Sequence, residues 1–330
     1  MNLRQAFLEF ASTKKNMSIN KEKTHVGIDV SKQFIDVALG KSFKRFTNNK
    51  EGFTKMLDWL SQLRVKELLH VIFEPSGGYE IDLAEFLQKQ KIAWSRPNAF
   101  RVRQYAKAKG IMAKTDKIDA YILADYGVQF QPKAQQLNKE SLCKLQEIMK
   151  RRDQVVQMLV MEKVALESVR DAICRKEIKN SLRRFERDIE RLESEALKCL
   201  DNDEELKNKA EIMQQFSGVG QQTALILTAF LPELGLVNRQ EIASLGGMAP
   251  VTRESGKWKG KAMLGPGRVR VRKALYMAAL SASRCNSVLS VVYKRLRDQG
   301  KPAKVALCAI ARKLLVAINA KLKEEVISPT

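Results

Sequence analysis

Residues 25–48, HVGIDVSKQFIDVALGKSFKRFTN, read as three consecutive strands, HVGIDV, FIDVAL and KSFKRFTN. The first is apolar, and the other two alternate with the period of two that turns one face to a core. Beyond them helix and strand signals alternate. EGFTKMLDWLSQL (51–63) sets Phe53, Met56, Leu57, Leu60 and Leu63 at helical spacing. LLHVIFEP (68–75) is a continuous apolar strand ended by Pro75, GGYEIDLAEFLQKQ (77–90) a second helix and IAWSRP (92–97) a short strand. AFRVRQYAKAKG (99–110) reads as a basic helix and residues 116–130 as another. Three strands followed by such alternation predict an α/β sheet whose first strands are antiparallel.

The pattern changes near residue 139. From there to 215 the chain has no Gly or Pro and is dense in Glu, Arg, Lys and Leu. Leu182, Phe185, Ile189, Leu192, Ala196 and Cys199 step by three and four, a seam of about two and a half heptads suited to an antiparallel helix pair. Residues 140–170 are its expected partner, although Arg152 and Lys163 break that second seam. After Phe216 come FSGVGQQTALILTAF, a Gly- and Lys-rich loop RESGKWKGKAMLGPGR (253–268), and two helices, VRVRKALYMAALSASRC and KPAKVALCAIARKLLVAINAKL. The expected organisation is an arm over 1–24, with Met17 an alternative start, then an α/β domain over 25–138. A helical coiled-coil and oligomerisation region over 139–215 and a mainly α domain over 216–330 follow.

Composition narrows the partners. The chain has 330 residues, 59 Lys and Arg against 37 Asp and Glu, and a formal charge of +22. Residues 250–323 hold 18 of those cations and only two acids, Glu254 and Asp298. Clustered Lys and Arg neutralise phosphates and release counterions, so nucleic acid is the expected partner. No apolar run reaches the length of about eighteen residues that a bilayer needs. No secretory signal is read at the N-terminus, and the five cysteines form no CxxC pair, which argues against a disulfide framework or zinc site. The expected location is the cytoplasm, with the nucleoid. Two histidines, His25 and His70, lie in strand-like runs and are expected to be packed rather than catalytic.

Four acids carry the chemistry. Asp29 closes HVGID, Glu74 closes VIFE, and Asp116 and Asp119 stand three apart in AKTDKIDAY, hence on one helical face. Taken singly, each has a plain explanation as a solvated strand end, a helix cap or a first-turn acid. Together, in a basic chain, they fit a site for a hard cation, Mg²⁺ or Mn²⁺, which takes oxygen ligands and leaves room for phosphate. Ser255 lies in a loop with Arg253, Lys257, Lys259 and Lys261. Its hydroxyl is either a phosphate hydrogen-bond donor or a nucleophile whose activation comes from an acid, a metal or another subunit. Arg101, Arg103 and Lys107, with Arg268, Arg270 and Arg272, complete the candidate nucleic-acid contacts. The GVG turn at 218–220 is either a phosphate-holding hairpin or a plain helix start.

GIDVSK, FEPSGGYE and KTDKIDA, then FSGVG, APVTRESGK and GRVRVRKALYMAA, together resemble the insertion sequence 110 family of transposases, which includes Piv-type DNA invertases. The resemblance spans residues 25–323. It implies a RuvC-like, RNase H-fold domain, a coiled-coil region and a C-terminal transposase domain. It places Asp29, Glu74, Asp116 and Asp119 at the metal-binding acids of the DEDD motif and Ser255 at the nucleophile that forms a phosphoserine bond to DNA. It also implies dimers assembling to a tetramer on double-stranded DNA, acids and serine meeting from different subunits, and a structured guide (bridge) RNA. One departure is Glu254, where the family often has a second serine. Rival readings are an invertase without an RNA guide, a junction-resolving nuclease with no covalent step, and a non-catalytic nucleic-acid-binding protein.

Overall fold

The computed structural model describes residues 24–63, 69–252, 254–255, 258–260 and 263–327. It divides into two compact units that part between Leu137 and Asn138. Residues 1–23 of the expected arm, Met17 among them, and Arg253, Lys257 and Lys261 lie outside the described residues, whereas Thr24 already belongs to a strand.

The first unit runs β1 (Thr24–Val30), β2 (Phe34–Leu39), β3 (Ser42–Thr47), α1 (Lys50–Gln62), β4 (Leu69–Phe73), α2 (Ile81–Lys89), β5 (Ala93–Ser95), α3 (Ala99–Ala108) and α4 (Asp116–Phe130). Among the described residues its five strands form one sheet in the order β3-β2-β1-β4-β5. The first three are antiparallel, as their short connections allow, whereas β4 and β5 run parallel to β1 after helical crossovers. The strand pleat sorts β1 and β4 into two faces. Val26, Ile28, Val71 and Phe73 pack with Phe53, Met56, Leu60, Leu83 and Leu87 of α1 and α2. Ile72, on the opposite face, packs with Val102, Ile122, Leu123 and Tyr126 of α3 and α4.

Gly27 decides how closely α4 sits. A Cβ there would lie 2.0 Å from the Ala120 carbonyl oxygen and 2.3 Å from the Ala124 nitrogen, so only glycine lets helix backbone meet strand backbone. The second expected helix begins later than its apolar pattern suggested. Gly77 and Gly78 adopt φ of 75° and 111°, and the helix starts at Ile81. His25 and His70 are buried in paired strands.

The second unit contains α5 (Glu140–Ser168), α6 (Ala172–Asp201), α7 (Glu204–Gln214), α8 (Gln221–Phe230), α9 (Arg239–Leu245), α10 (Val269–Cys285), α11 (Ser287–Asp298) and α12 (Ala303–Ile327). Between α9 and α10 the described residues include the two-residue strands β6 (Pro250–Val251), β7 (Glu254–Ser255), β8 (Trp258–Lys259) and β9 (Met263–Leu264). α5 and α6 pair antiparallel. The Arg152 guanidinium donates to Glu193 at 2.8 Å, and Arg175 donates to the Leu166 carbonyl at 3.0 Å. Arg152, read as an interruption of the seam, is thus a cross-helix ion pair. Only Ala196 and Cys199 of the α6 seam are fully buried; Leu182, Phe185, Ile189 and Leu192 are half-buried. Leu142, Leu145 and Met149 at the root of the pair join Leu225, Leu275 and Leu315 in a single core with α8, α10 and α12. Among the described residues no helix is long and apolar enough to cross a membrane.

Candidate active site

Asp29 is the next-to-last residue of β1, and Glu74 follows the last residue of β4. The parallel register ends at Ile28 opposite Phe73, so the two acids extend adjacent strands side by side. By the alternation that turns Ile28 and Phe73 toward α1 and α2, both acids fall on the α4 face. Thr115 caps α4, its hydroxyl accepting from the Ile118 N–H, which sets Asp116 and Asp119 in the first turn. Close seating of α4 on Gly27 carries that turn to the strand ends.

The carboxylates feel one another. Burial first, then the charges of Asp119, Asp116 and Asp36, push the Asp29 pKa up to about 6, opposed by Lys114. Burial, Asp119 and Asp29 raise Glu74, again against Lys114. Asp119 is also raised, by burial and Asp116, with Lys114 and Arg103 pulling the other way. A carboxylate whose pKa rises on folding weakens the folded state at neutral pH, so these acids are held together at a cost in stability. Among the described residues no three acid, histidine or cysteine side chains converge as a ready ligand set. The donor chemistry nonetheless fits a divalent cation: all oxygen, half-buried except for Asp116, and mutually repelling, with Lys114 opposing that repulsion.

Two residues beside the acids were not singled out from sequence. Asp36 on β2 is 2% exposed and faces Asp29 in register. Arg45 on β3 faces Asp36, and its guanidinium donates to both Asp36 and Asp116. A third is Glu80. Its carboxylate accepts from the backbone N–H groups of Ser76 and Gly78 at 3.0 and 2.9 Å and from Arg96 at 3.0 Å, fixing the loop that follows Glu74.

Ser255 belongs to the second unit. Its strand β7 pairs with β8, Ser255 opposite Trp258, and the flanking strands β6 and β9 pair with each other. The serine is exposed. Lys259 is placed by its backbone in β8. The C-terminal arginines are engaged inside the protein. Arg268 forks onto Glu233 at 2.5 and 2.6 Å and donates to the Phe230 carbonyl, Arg270 binds Asp153 at 2.5 Å, and Arg272 donates to the Gly265 carbonyl at 2.7 Å. In the first unit Arg101 and Lys107 are exposed, while Arg103 donates from Nη2 to the Met112 carbonyl and keeps a buried Nη1 without a hydrogen-bond partner among the described residues. In the GVG turn, Gly218 (φ 98°) abuts Ala278 and Ala282 of α10, and Gly220 caps α8 with open space around it.

Comparison with known proteins gives the chain its family. Residues 26–174 match the DEDD-type transposase model of the IS110 group, described as a transposase, and residues 210–294 match the model of the transposase IS116/IS110/IS902 family. The pilin gene-inverting protein of Moraxella bovis is 28% identical over 312 residues, 92% of this chain and 96% of its own length. The protein of that name from Moraxella lacunata is similar to the same extent. Both family domains are matched in chain order, and the chain belongs to the IS110 family of transposases and related invertases.

Proposed function

We propose that this protein is a metal-dependent DNA recombinase that cuts and rejoins strands through a phosphoserine bond. The observation that carries the reading is the gathering of Asp29, Glu74, Asp116 and Asp119 from two strand ends and one helix N-terminus, with the carboxyl pKa raised at Asp29, Glu74 and Asp119. The first unit is then a RuvC-like domain of RNase H fold, and the four acids hold Mg²⁺ or Mn²⁺. When bound, the metal lowers the charge of the phosphodiester and of the oxygens that attack and leave it.

The Ser255 Oγ–P bond forms as phosphorus releases a sugar oxygen. The serine proton passes to a carboxylate, and the departing oxygen takes up a proton. Attack by the sugar hydroxyl of another strand reverses the step and frees the serine. The exposed serine, with Lys257, Lys259 and Lys261 near it in sequence, suits a nucleophile delivered to a phosphate. Lys257, Lys259, Lys261, Arg253, Arg101, Arg103 and Lys107 are the proposed phosphate contacts. Arg268, Arg270 and Arg272 remain candidates only where their internal partners yield. Residues 139–215 act as an oligomerisation coil, dimers pairing to a tetramer in which acids and serine come from different subunits. A structured guide RNA selects the target, and the protein works in the cytoplasm on the nucleoid.

A second reading is favoured by the relatives named as pilin gene-inverting proteins: inversion of a DNA segment without an RNA guide. A metal-and-water junction nuclease is less favoured, because it would leave the Ser255 unit without a task. Asp29→Ala and Asp119→Ala test the reading. Each is expected to abolish strand cleavage while DNA binding stays near wild type, and normal recombination by either would remove the metal site.

A further inference from the structure

One row of side chains leads across the antiparallel strands away from the acids. Asp29 on β1 faces Asp36 on β2, and Asp36 faces Arg45 on β3. Asp36 is buried, and a carboxylate in that position needs a counter-charge and hydrogen bonds. Arg45 supplies both, Nε donating to Oδ1 at 2.9 Å and Nη2 to Oδ2 at 2.8 Å, with its guanidinium 5.4 Å from the Phe34 ring centre. The same Nη2 donates to Oδ2 of Asp116, also at 2.8 Å. One nitrogen therefore ties a buried acid to an exposed one, and Oδ1 of Asp116 stays outside the bridge.

We infer that Arg45, anchored by Asp36, is a positioning residue that aims the Asp116 carboxylate at the metal. The inference rests on the metal-binding reading of the four acids. An exposed ion pair between Arg45 and Asp116 adds little to stability, so its geometry rather than its strength is the point. Carboxylates that bind metal are commonly oriented by an outer partner, and losing that partner typically lowers metal affinity by about 10–100-fold. Lysine cannot substitute. Its single ammonium lacks the planar fork that spans both Asp36 oxygens while reaching Asp116.

The test is Mn²⁺ titration of the full-length protein, read by the paramagnetic resonance of free Mn²⁺, with circular dichroism and thermal melting as fold controls. Arg45→Lys keeps a charge beside Asp36 and is expected to bind Mn²⁺ about 10–100-fold more weakly than wild type. Asp36→Asn, which removes the buried charge together with the anchor, is expected to fall in the same direction. In an Asp116→Ala background Arg45→Lys is expected to change nothing further, an outcome that a general structural role would not give. Wild-type affinity or tighter binding in folded Arg45→Lys and Asp36→Asn overturns the inference, as does a further loss in the Asp116→Ala background. Failure of the wild-type protein itself to bind Mn²⁺ overturns the metal reading, and this inference with it.

Discussion

Replacing Gly27 by alanine adds one carbon where β1 and α4 touch. That carbon would stand 2.0 Å from the Ala120 oxygen and 2.3 Å from the Ala124 nitrogen, against ordinary contacts of 3.4–4 Å. Both obstacles are backbone, so no rotamer change relieves them, and the helix must retreat by roughly 1.5 Å to reach normal separation. Overpacking of this kind costs about 1–3 kcal/mol, with backbone obstacles pointing to the upper end. For a unit near a hundred residues each kcal/mol lowers the melting midpoint by roughly 4–8 °C, so a fall of about 10 °C or more is expected. The retreat also carries Asp116 and Asp119 away from Asp29 and Glu74. Misplacement of about 1 Å in a catalytic constellation commonly lowers the rate on the order of 100-fold. Calorimetry measures the first effect, and strand cleavage well below the midpoint measures the second. A Gly27→Ala protein that melts within about 2 °C of wild type and cuts at the wild-type rate would refute the packing argument.

Further expectations concern residues beside the site and on the basic surface. Burial pushes the Glu80 carboxyl up, but backbone N–H donors and Arg96 outweigh it and hold its pKa below the usual carboxylate range. Its contribution to stability is therefore full above about pH 4.3 and is lost as pH falls through the depressed folded value. Glu80→Gln should lower the midpoint at pH 7 and flatten the acid limb of a melting series; an unchanged acid limb would count against the ion pair. Arg268→Ala breaks a forked pair with Glu233 and is expected to destabilise by about 1–3 kcal/mol, while the salt slope of DNA binding stays put. Lys107→Ala, exposed and without such a partner among the described residues, is expected to leave the midpoint alone and reduce the salt slope by about one. A reversal of these two outcomes would mean that Arg268, not Lys107, faces phosphate.

The sheet and its crossovers could be read from the chain because the two periodicities coincide with burial: Val26 and Ile28 face one layer, Gly27 and Asp29 the other. Asp29 and Glu74 stood out as acids ending apolar runs. Asp36 did not, since its place in the alternation of FIDVAL suggests a solvent face, and only register with Arg45 shows why it is buried. The cluster at 268–272 looked like a phosphate track because charge in sequence carries no record of its partner. Glu233 lies 35 residues from Arg268, and Asp153 lies 117 from Arg270. Helix α11 has a weak signature in the chain, because SVLSVV is rich in β-branched residues and an Asn286 cap starts it directly after α10. The ribbon β6–β9 was hidden by strands of two residues each, too short for any alternation to show.

The most direct test of the account is a covalent-adduct assay with Mg²⁺ on nicked or mismatched donor DNA, comparing wild type, Ser255→Ala and Asp29→Ala. The account expects a denaturant-resistant protein–DNA adduct with wild type that disappears in both variants, with DNA binding retained. Cleavage without an adduct, at equal rates in wild type and Ser255→Ala, would mean that water and not Ser255 attacks the phosphate.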